Sequence, residues 1–229
     1  LKEVRLGYEE LLNPEAFAPH MGVDESGKGD FFGPLVIAGA YTDADLARKM
    51  KAMGVKDSKN ITSDKRAMEL ADSIRRLLGR RFSIVTIGPE AYNRLYSKMK
   101  SVNTILAWGH ARVIENLLDT VPDCPRAISD QFGSKSQVER ALMRKGRAIE
   151  LQQMHRAEAE IAVAAASVLA RGAFLQVLRD MGEKLKISLR KGASDLVIEA
   201  GQKLVAAQGP GILLNTAKCH FRTLDKVLE

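Results

Sequence analysis

Four acidic residues of this sequence stand where an apolar residue would be expected. Asp24 and Glu25 lie in the glycine-rich stretch GVDESGKGDFFGP, residues 22–34, just before a run of strand-forming residues. Asp130 ends the short apolar segment PRAISD, and Glu158 begins an alanine-rich segment with helical spacing. Because burying an isolated charge is very costly, each carboxylate needs a compensating partner. For any one of them, that partner could be a lysine, an arginine or the N-terminus of a helix.

Taken together, the four carboxylates favour a site for hard divalent cations. Carboxylate oxygens are the ligands that Mg²⁺ and Mn²⁺ prefer, and two such ions can generate an attacking hydroxide and stabilise the leaving oxygen of a phosphodiester. In a helix that begins at Glu158, this residue falls on the apolar stripe, whereas Glu160 points about 200° away from it. Asp24 and Glu25 would point to opposite faces of a strand, so they share a site only if the chain twists or bulges there.

The glycines of the same stretch form a loop that a ligand could approach closely. Gly27 and Gly29 flank Lys28, and neither glycine has a side chain that would keep a ligand from the backbone. The spacing is not that of a Walker-type phosphate loop, which also requires a serine or threonine. The alternative is an ordinary turn between two strands.

Composition narrows the class of protein. The 229 residues are 45% hydrophobic and carry a formal net charge of +7, which suits one sizeable core and favours a polyanionic partner such as nucleic acid, although many basic proteins bind none. Cys124 and Cys219 lie far apart without metal-ligand spacing and are typical of reduced thiols. The longest apolar run, 161–170, is about half of a membrane span, and no signal peptide is visible. We therefore expect a cytoplasmic monomer with no membrane partner.

The spacing of apolar residues predicts an α/β fold with a mixed sheet. We expect residues 1–20 to be a leader or linker and 21–229 to be one domain. Predicted strands cover 35–41, 82–88, 125–130 and 147–153, and predicted helices cover 43–53, 64–78, 89–99, 104–118, 135–145, 158–181, 194–207 and 219–228.

The ordered motifs resemble the type 2 ribonucleases H, and specifically the ribonuclease HIII branch. Those motifs are GVDESGKGDFFGPLVIAGAY, GVKDSKNIT, IGPEAYNRLY, NTILAWGHARVIENLL, SDQFG, AEAEIAVAAASVLAR, KGAS and AKCHF. The resemblance extends in order over nearly all of residues 21–229. The resemblance implies a ribonuclease H-like fold, in which helices flank a central mixed five-stranded sheet and further helices follow at the C-terminus.

The same resemblance implies an activity and a set of metal ligands. The family hydrolyses the RNA strand of RNA–DNA hybrids, leaving 5′-phosphate and 3′-hydroxyl ends, with Mg²⁺ or Mn²⁺ as cofactor and two ions in the active complex. Its four acidic ligands would fall on Asp24, Glu25, Asp130 and Glu158, although the spacing around AEAEIAV leaves Glu160 open as the fourth acid.

Further residues would contact substrate by the same resemblance. Gly27, Lys28 and Gly29 would sense ribose 2′-hydroxyls through the backbone, and the 2′-hydroxyl is what distinguishes RNA from DNA at a given position. The loop KDSK places Lys56, Ser58 and Lys59 near substrate, with a solvated loop as the alternative. Phosphate contacts are also expected from Lys191 and Lys218.

The histidines and the tryptophan are interpreted as structural. We expect His110, inside the LAWGHAR helix, to pack with a satisfied hydrogen bond, His220 to pack near the C-terminus, and Trp108 to lie in the core.

Three alternatives to hybrid hydrolysis remain. One is ribonuclease HII-type incision at single ribonucleotides embedded in duplex DNA, the second is a catalytically silent nucleic-acid-binding domain, and the third is a nuclease that acts on DNA junctions. Ribonucleases HIII usually carry an N-terminal substrate-binding domain with a sheet like that of the TATA-binding protein. Only about twenty residues precede the acidic motif here, so we expect that domain to be absent from this chain and substrate affinity to be lower.

Overall fold

The structure is a computed structural model that describes residues 14–56, 58, 61–130, 135–142, 146, 149–154, 157 and 160–229. Within these residues the strands are β1 (His20–Ser26), β2 (Leu35–Thr42), β3 (Phe82–Ile87), β4 (Arg126–Asp130) and β5 (Glu150–Met154). The α-helices are α1 (Ala44–Ala52), α2 (Asp64–Leu78), α3 (Pro89–Met99), α4 (Val102–Leu118), α5 (Lys135–Ala141), α6 (Ile161–Leu185), α7 (Asp195–Gln208), α8 (Leu213–Thr216) and α9 (Thr223–Leu228). Short 3₁₀ turns cover Pro14–Phe17 and Pro210–Ile212.

The strands form one mixed sheet in the order β3-β2-β1-β4-β5. The pairs β1–β2 and β2–β3 are antiparallel, whereas β4 is parallel to both β1 and β5. The carboxyl ends of β1 and β4 therefore meet at one edge of the sheet, where ligands of open α/β sheets commonly bind.

Helices cover both faces of the sheet, because successive strand residues point to opposite sides. Val36 and Ala38 face one core, with α1, α2, α6 and α7. Leu35 and Ile37 face the other core, with α3 and α4. The predicted mixed five-stranded sheet flanked by helices is confirmed.

Several helices begin and end where local chemistry predicts. Ser63 caps α2 by accepting a hydrogen bond from the Arg66 amide at 3.1 Å, and Gly79, with a φ of 62°, ends it. Capping by serine and termination by a glycine are common helix signals. Helix α3 begins with Pro89, whose missing N–H costs nothing in a first helical turn. The ranges predicted for these two helices match the structure.

The start of the alanine-rich helix was predicted incorrectly. Helix α6 begins at Ile161, and Glu160 precedes it with an extended ψ of 132°. The Glu160 amide donates to the Ala157 carbonyl at 2.9 Å. The argument that chose Glu158 from a helix beginning at that residue is therefore wrong, and Glu158 itself lies outside the described residues.

Other boundaries also differ from the predictions. Helix α5 ends at Ala141, β5 begins at Glu150, and the segment predicted as one helix over 219–228 is helical only in α9. At the N-terminus, His20 opens β1 and Phe17 is buried against the core. The division into a leader and one domain stays a prediction.

Helix α6 packs against β1 at unusually short range. A Cβ on Gly22 would lie 2.2 Å from the Val163 nitrogen and 2.3 Å from the Ala162 carbonyl carbon. Only glycine lets two backbones approach so closely.

Helix α6 is also long and apolar enough to cross a membrane by length and composition alone, among the helices that the structure describes. Its most apolar window is 83% buried inside the protein. A core helix passes the same test, so this is weak evidence for a membrane span.

Candidate active site

The sheet register places Asp24 and Asp130 side by side at the ends of two parallel strands. Val23 pairs with Ser129 across β1 and β4, and each aspartate is the next residue of its strand. Both aspartates line one cleft of about 470 Å³, together with Glu25 and the glycine loop. Two carboxylates that are distant in sequence are thus brought together by the parallel pairing.

Asp24 and Glu25 reach this cleft without a bulge. The pairing of β1 with β2 runs one to one through Glu25 and Ser26, so the two side chains leave opposite faces of the strand. Asp24 accepts a hydrogen bond from the Glu25 amide at 2.8 Å. The bulge offered as one way for them to share a site is absent. They meet in the cleft because the sheet ends there.

A histidine and a lysine contact Glu25. The Nε2 atom of His110, on α4, lies 3.2 Å from Glu25 Oε2, and His110 is 1% exposed. Lys28 Nζ lies 3.8 Å from Glu25 Oε1. His110 was expected to pack with a satisfied hydrogen bond. The structure adds that its partner is one of the predicted metal ligands, so His110 can orient that carboxylate. The only sequence signal for this role was a histidine among the apolar residues of a predicted helix.

The fold constrains the two glycines of the loop to different extents. Gly27 has a φ of 90°, and a Cβ there would lie 2.2 Å from the Pro34 carbonyl oxygen. Gly29 has no positive φ, and a Cβ there would meet nothing within 4 Å. The fold therefore requires glycine at position 27, but leaves the surface at Gly29 open.

Sequence reasoning missed two residues of the cleft wall. Ser167 and Arg171 lie on α6 and face Ser58. The hydroxyls of Ser58 and Ser167 are 2.7 Å apart and buried. Arg171 donates to the carbonyls of Ser58 and Ile61, the latter at 3.1 Å. Ser58 therefore lies at the cleft, and its contact with substrate stays a prediction.

The predicted phosphate-binding lysines have different surroundings. Lys56 is exposed, and Lys59 lies outside the described residues. Lys191 is half-exposed and forms an ion pair with Asp64 at 2.7 Å.

Lys218 is placed in the core and not at the surface. It is 0% exposed, and its Nζ donates to the carbonyls of Asp30 and Gly33, both at 2.8 Å. Burial lowers its pKa to about 7, partly offset by the charge of Asp30. Because no surface of Lys218 is available to a phosphate, the predicted phosphate contact is wrong. The lysine instead fixes the end of the glycine loop.

Of the other two residues interpreted as structural, His220 packs as expected, whereas Trp108 is not fully buried in the core. His220 stacks on Tyr96 with ring centroids 4.2 Å apart, as expected of a packing histidine, and burial lowers its pKa. Trp108 is only half-buried, under the Arg112 guanidinium at 5.8 Å from its ring centroid.

The donor set of the cleft fits a hard divalent cation. Asp24, Glu25 and Asp130 present carboxylate oxygens, and Mg²⁺ is usually held by one or two protein carboxylates that leave room for waters and substrate phosphate. Within the described part of the chain, no three His, Cys, Asp or Glu side chains are already grouped as a complete metal site, so these carboxylates would need further ligands. The fourth predicted acid, Glu158, falls outside that part.

Comparisons with known proteins assign the chain to a family. The family model described as ribonuclease HII matches residues 21–224. The chain is 46% identical to ribonuclease HIII of Protochlamydia amoebophila over 92% of its own length and 68% of that protein, and 43% identical to ribonuclease HIII of Chlamydia pneumoniae over 91% and 70%. The crystal structure of Bst-RNase HIII in complex with Mn²⁺ superposes with a TM-score of 0.85 and 31% identity, covering 93% of this chain and 70% of that one.

The family assignment agrees with the geometry described above. Acidic side chains meet at the ends of β1 and β4, and a glycine loop borders the same cleft. The chain belongs to the ribonuclease HII family and is a ribonuclease H enzyme of the ribonuclease HIII type.

Proposed function

We propose that this enzyme hydrolyses the RNA strand of RNA–DNA hybrids with two Mg²⁺ or Mn²⁺ ions, leaving 5′-phosphate and 3′-hydroxyl ends. The observation that carries the proposal is the shared cleft. Asp24 and Asp130 stand at adjacent strand ends, and the glycine loop 27–29 forms another wall of the same space. Carboxylates in a cleft that must admit a phosphodiester need cations to offset their repulsion of the substrate.

Asp24, Glu25 and Asp130 would hold the metal ions, with Glu158 as the proposed fourth ligand. Bst-RNase HIII has been crystallised in complex with Mn²⁺, which supports the binding of divalent ions in the cleft of the present enzyme. When bound, such ions activate a water molecule and offset charge on the scissile phosphate. His110 holds the Glu25 carboxylate in place through Nε2, and such an outer contact tunes both the orientation and the affinity of a ligand.

The glycine loop would provide the selection for RNA. Since the space beside Gly29 is open and its backbone is unstrained, the fold itself does not explain a glycine there. A ribose that approaches the backbone closely does explain it, because the 2′-hydroxyl can both donate and accept a hydrogen bond. A DNA strand lacks this group, so these contacts would be lost.

The ligand assignment is tested by replacing Asp24 and, separately, Asp130 with asparagine. Each change keeps the shape and removes the charge, and we expect at least about a hundredfold loss of hybrid cleavage, because metal ions supply several kcal/mol of transition-state stabilisation. The matched control is Asp225→Asn, an exposed aspartate on α9, which should cleave like wild type. Near-normal cleavage by Asp24→Asn would remove this residue from the proposed ligands.

Ribonuclease HII-type incision at a single embedded ribonucleotide is the nearest rival. A DNA duplex with one ribonucleotide separates the two activities. Cleavage of that duplex on the 5′ side of the ribonucleotide, more efficient than cleavage of a continuous hybrid, would favour the rival.

A further inference from the structure

A second cluster of charged side chains lies beside the cleft. The Oδ1 atom of Asp64 accepts hydrogen bonds from Arg171 Nη2 at 2.8 Å and from Lys191 Nζ at 2.7 Å. Asp64 is the first residue of α2, Arg171 belongs to α6, and Lys191 lies in the loop between α6 and α7. One carboxylate thus joins α2 to two segments that each lie more than a hundred residues away from it in sequence.

The arginine side of this cluster shapes one wall of the cleft. The Arg171 side chain is only 17% exposed. Its Nη1 donates to the carbonyls of Ser58 and Ile61. Arg171 and Ser58 both line the cleft that holds Asp24 and Asp130. Without the Asp64 carboxylate, a mostly buried guanidinium would lose its only charged partner among the described residues, at a substantial cost.

The lysine side of the cluster reaches the glycine loop. Gly192, next to Lys191, donates its amide to Asp30 Oδ1 at 2.6 Å and accepts from the Phe31 amide at 2.9 Å. Gly192 has a φ of 82°, so this tight turn depends on glycine. The loop around Lys191 is therefore pinned to the end of the glycine loop on one side and to Asp64 on the other.

We propose that Asp64 is a positioning residue: through Arg171 and Lys191 it fixes the glycine loop relative to the opposite wall of the cleft. Lys191 acts through Asp64 and is not a phosphate contact. This inference rests on the proposed function only where it concerns cleavage kinetics.

The charges around Asp64 support this assignment. Burial would raise the pKa of Asp64, but hydrogen bonds from Lys191 and Arg171 hold it below its ordinary value. For a phosphate to recruit Lys191, it would first have to break this short ion pair. The opposing view is that the cluster is a surface ion pair, and half-exposed pairs contribute little. That view predicts no effect on either loop when the carboxylate is neutralised.

Hydrogen exchange tests the coupling without any reference to activity. In full-length Asp64→Asn, we expect the amides of Phe31 and Gly192 to exchange several-fold faster than in wild type, because their loop loses one of its two anchors. The matched control is Asp72→Asn on the same helix, whose partner Arg75 belongs to that helix at 3.4 Å, and it should leave both amides unchanged. Equal exchange in wild type and Asp64→Asn would overturn the proposal, even if the enzyme proves inactive on hybrids.

Kinetics then separate positioning from phosphate binding. Asp64→Asn should raise KM for the hybrid by about threefold to thirtyfold and change kcat by less than about twofold, the scale of coupling through a network. Lys191→Ala should add nothing further to Asp64→Asn in a double-mutant cycle.

The salt dependence gives an independent readout. Loss of one phosphate contact reduces the slope of log KM against log salt by about 0.7 to 0.9. We expect that reduction for Lys56→Ala and an unchanged slope for Lys191→Ala. A reduced slope for Lys191→Ala, with additive effects in the cycle, would overturn the positioning role. Absence of hybrid cleavage by wild type would instead refute the proposed function and leave the exchange result to decide.

Discussion

Replacing Gly22 with alanine should break the packing that brings α6 against β1. The added Cβ would lie 2.2 Å from the Val163 nitrogen and 2.3 Å from the Ala162 carbonyl carbon. Both atoms belong to the backbone of the helix, so no side chain can rotate away. To restore an ordinary contact of 3.4 Å, the start of α6 must move back by roughly 1 Å in a close-packed interior.

The expected cost follows from that displacement. Overpacking a core by one methyl group costs about 1–3 kcal/mol, and a clash with backbone belongs at the upper end of this range. Gly22 is on the same face of β1 as Asp24, so the shift also changes the distance between the acidic cleft and α6. A misplacement of about 1 Å can cost about a hundredfold in rate. We expect about 3 kcal/mol of lost stability and a hundredfold loss of cleavage in the fraction that remains folded.

Urea unfolding followed by circular dichroism measures the stability, and cleavage of a labelled hybrid at 10 °C measures activity where the variant is folded. The matched control is Gly211→Ala, since a Cβ there would meet nothing within 4 Å and its φ is not positive. That control should match wild type or gain up to about 1 kcal/mol. If Gly22→Ala were as stable and active as the control, the close approach of α6 to β1 would not position the site as described.

Three further predictions concern the cleft and its supports. Gly29→Ala should unfold like wild type but lose hybrid cleavage, whereas Gly27→Ala should be destabilised. Of these two glycines, only Gly27 has a positive φ and no room for a Cβ. Equal unfolding midpoints for the two variants would contradict this. His110→Ala should raise the Mn²⁺ concentration needed for half-maximal activity by about 10- to 100-fold, and an unchanged Mn²⁺ titration would remove His110 as a support of Glu25. Lys218 has a pKa of about 7 in the folded protein and 10.5 in the unfolded chain, so between these pH values folding releases a proton. From pH 7 upward, the free energy of unfolding of wild type should therefore rise by about 1.4 kcal/mol per pH unit relative to that of Lys218→Met. A difference between the two that does not change with pH would show that the lysine stays charged.

The bounds of helices α2 and α3 could be predicted from local sequence patterns, whereas the start of α6 could not. The range of α2 was predicted from its apolar spacing and that of α3 from its leading proline, and both match the structure, in which Ser63 and Gly79 also mark the ends of α2. Helix α6 offers no such signal, since Glu160 makes no side-chain capping hydrogen bond and the alanines on both sides suit a helix equally well. Its start was therefore placed too early, and the geometric choice of Glu158 failed with it.

The contacts that the sequence did not reveal are those between distant segments. The pairing of β1 with β4 brings Asp24 next to Asp130, but no local pattern specifies which parallel strands are neighbours. The resemblance assigned Lys218 to a phosphate contact, which requires an exposed side chain, whereas the carbonyls of Asp30 and Gly33 hold it in the core. Lys191 was assigned to phosphate by the same resemblance, and no local pattern pointed to its partner Asp64, which lies 127 residues away.

Hydrolysis of RNA paired with DNA is the activity that we propose for the cleft formed by the strand ends and the glycine loop. The most direct measurement is cleavage of four labelled duplexes by the wild-type chain, each with Mg²⁺, Mn²⁺ or a chelator: an RNA–DNA hybrid, a DNA duplex with one ribonucleotide, duplex RNA and duplex DNA. We expect cleavage of the RNA strand of the hybrid with either metal, 5′-phosphate and 3′-hydroxyl ends, no cleavage of duplex DNA, and none of any duplex with the chelator. Cleavage of duplex DNA, or of the hybrid in the presence of the chelator, would contradict the proposal.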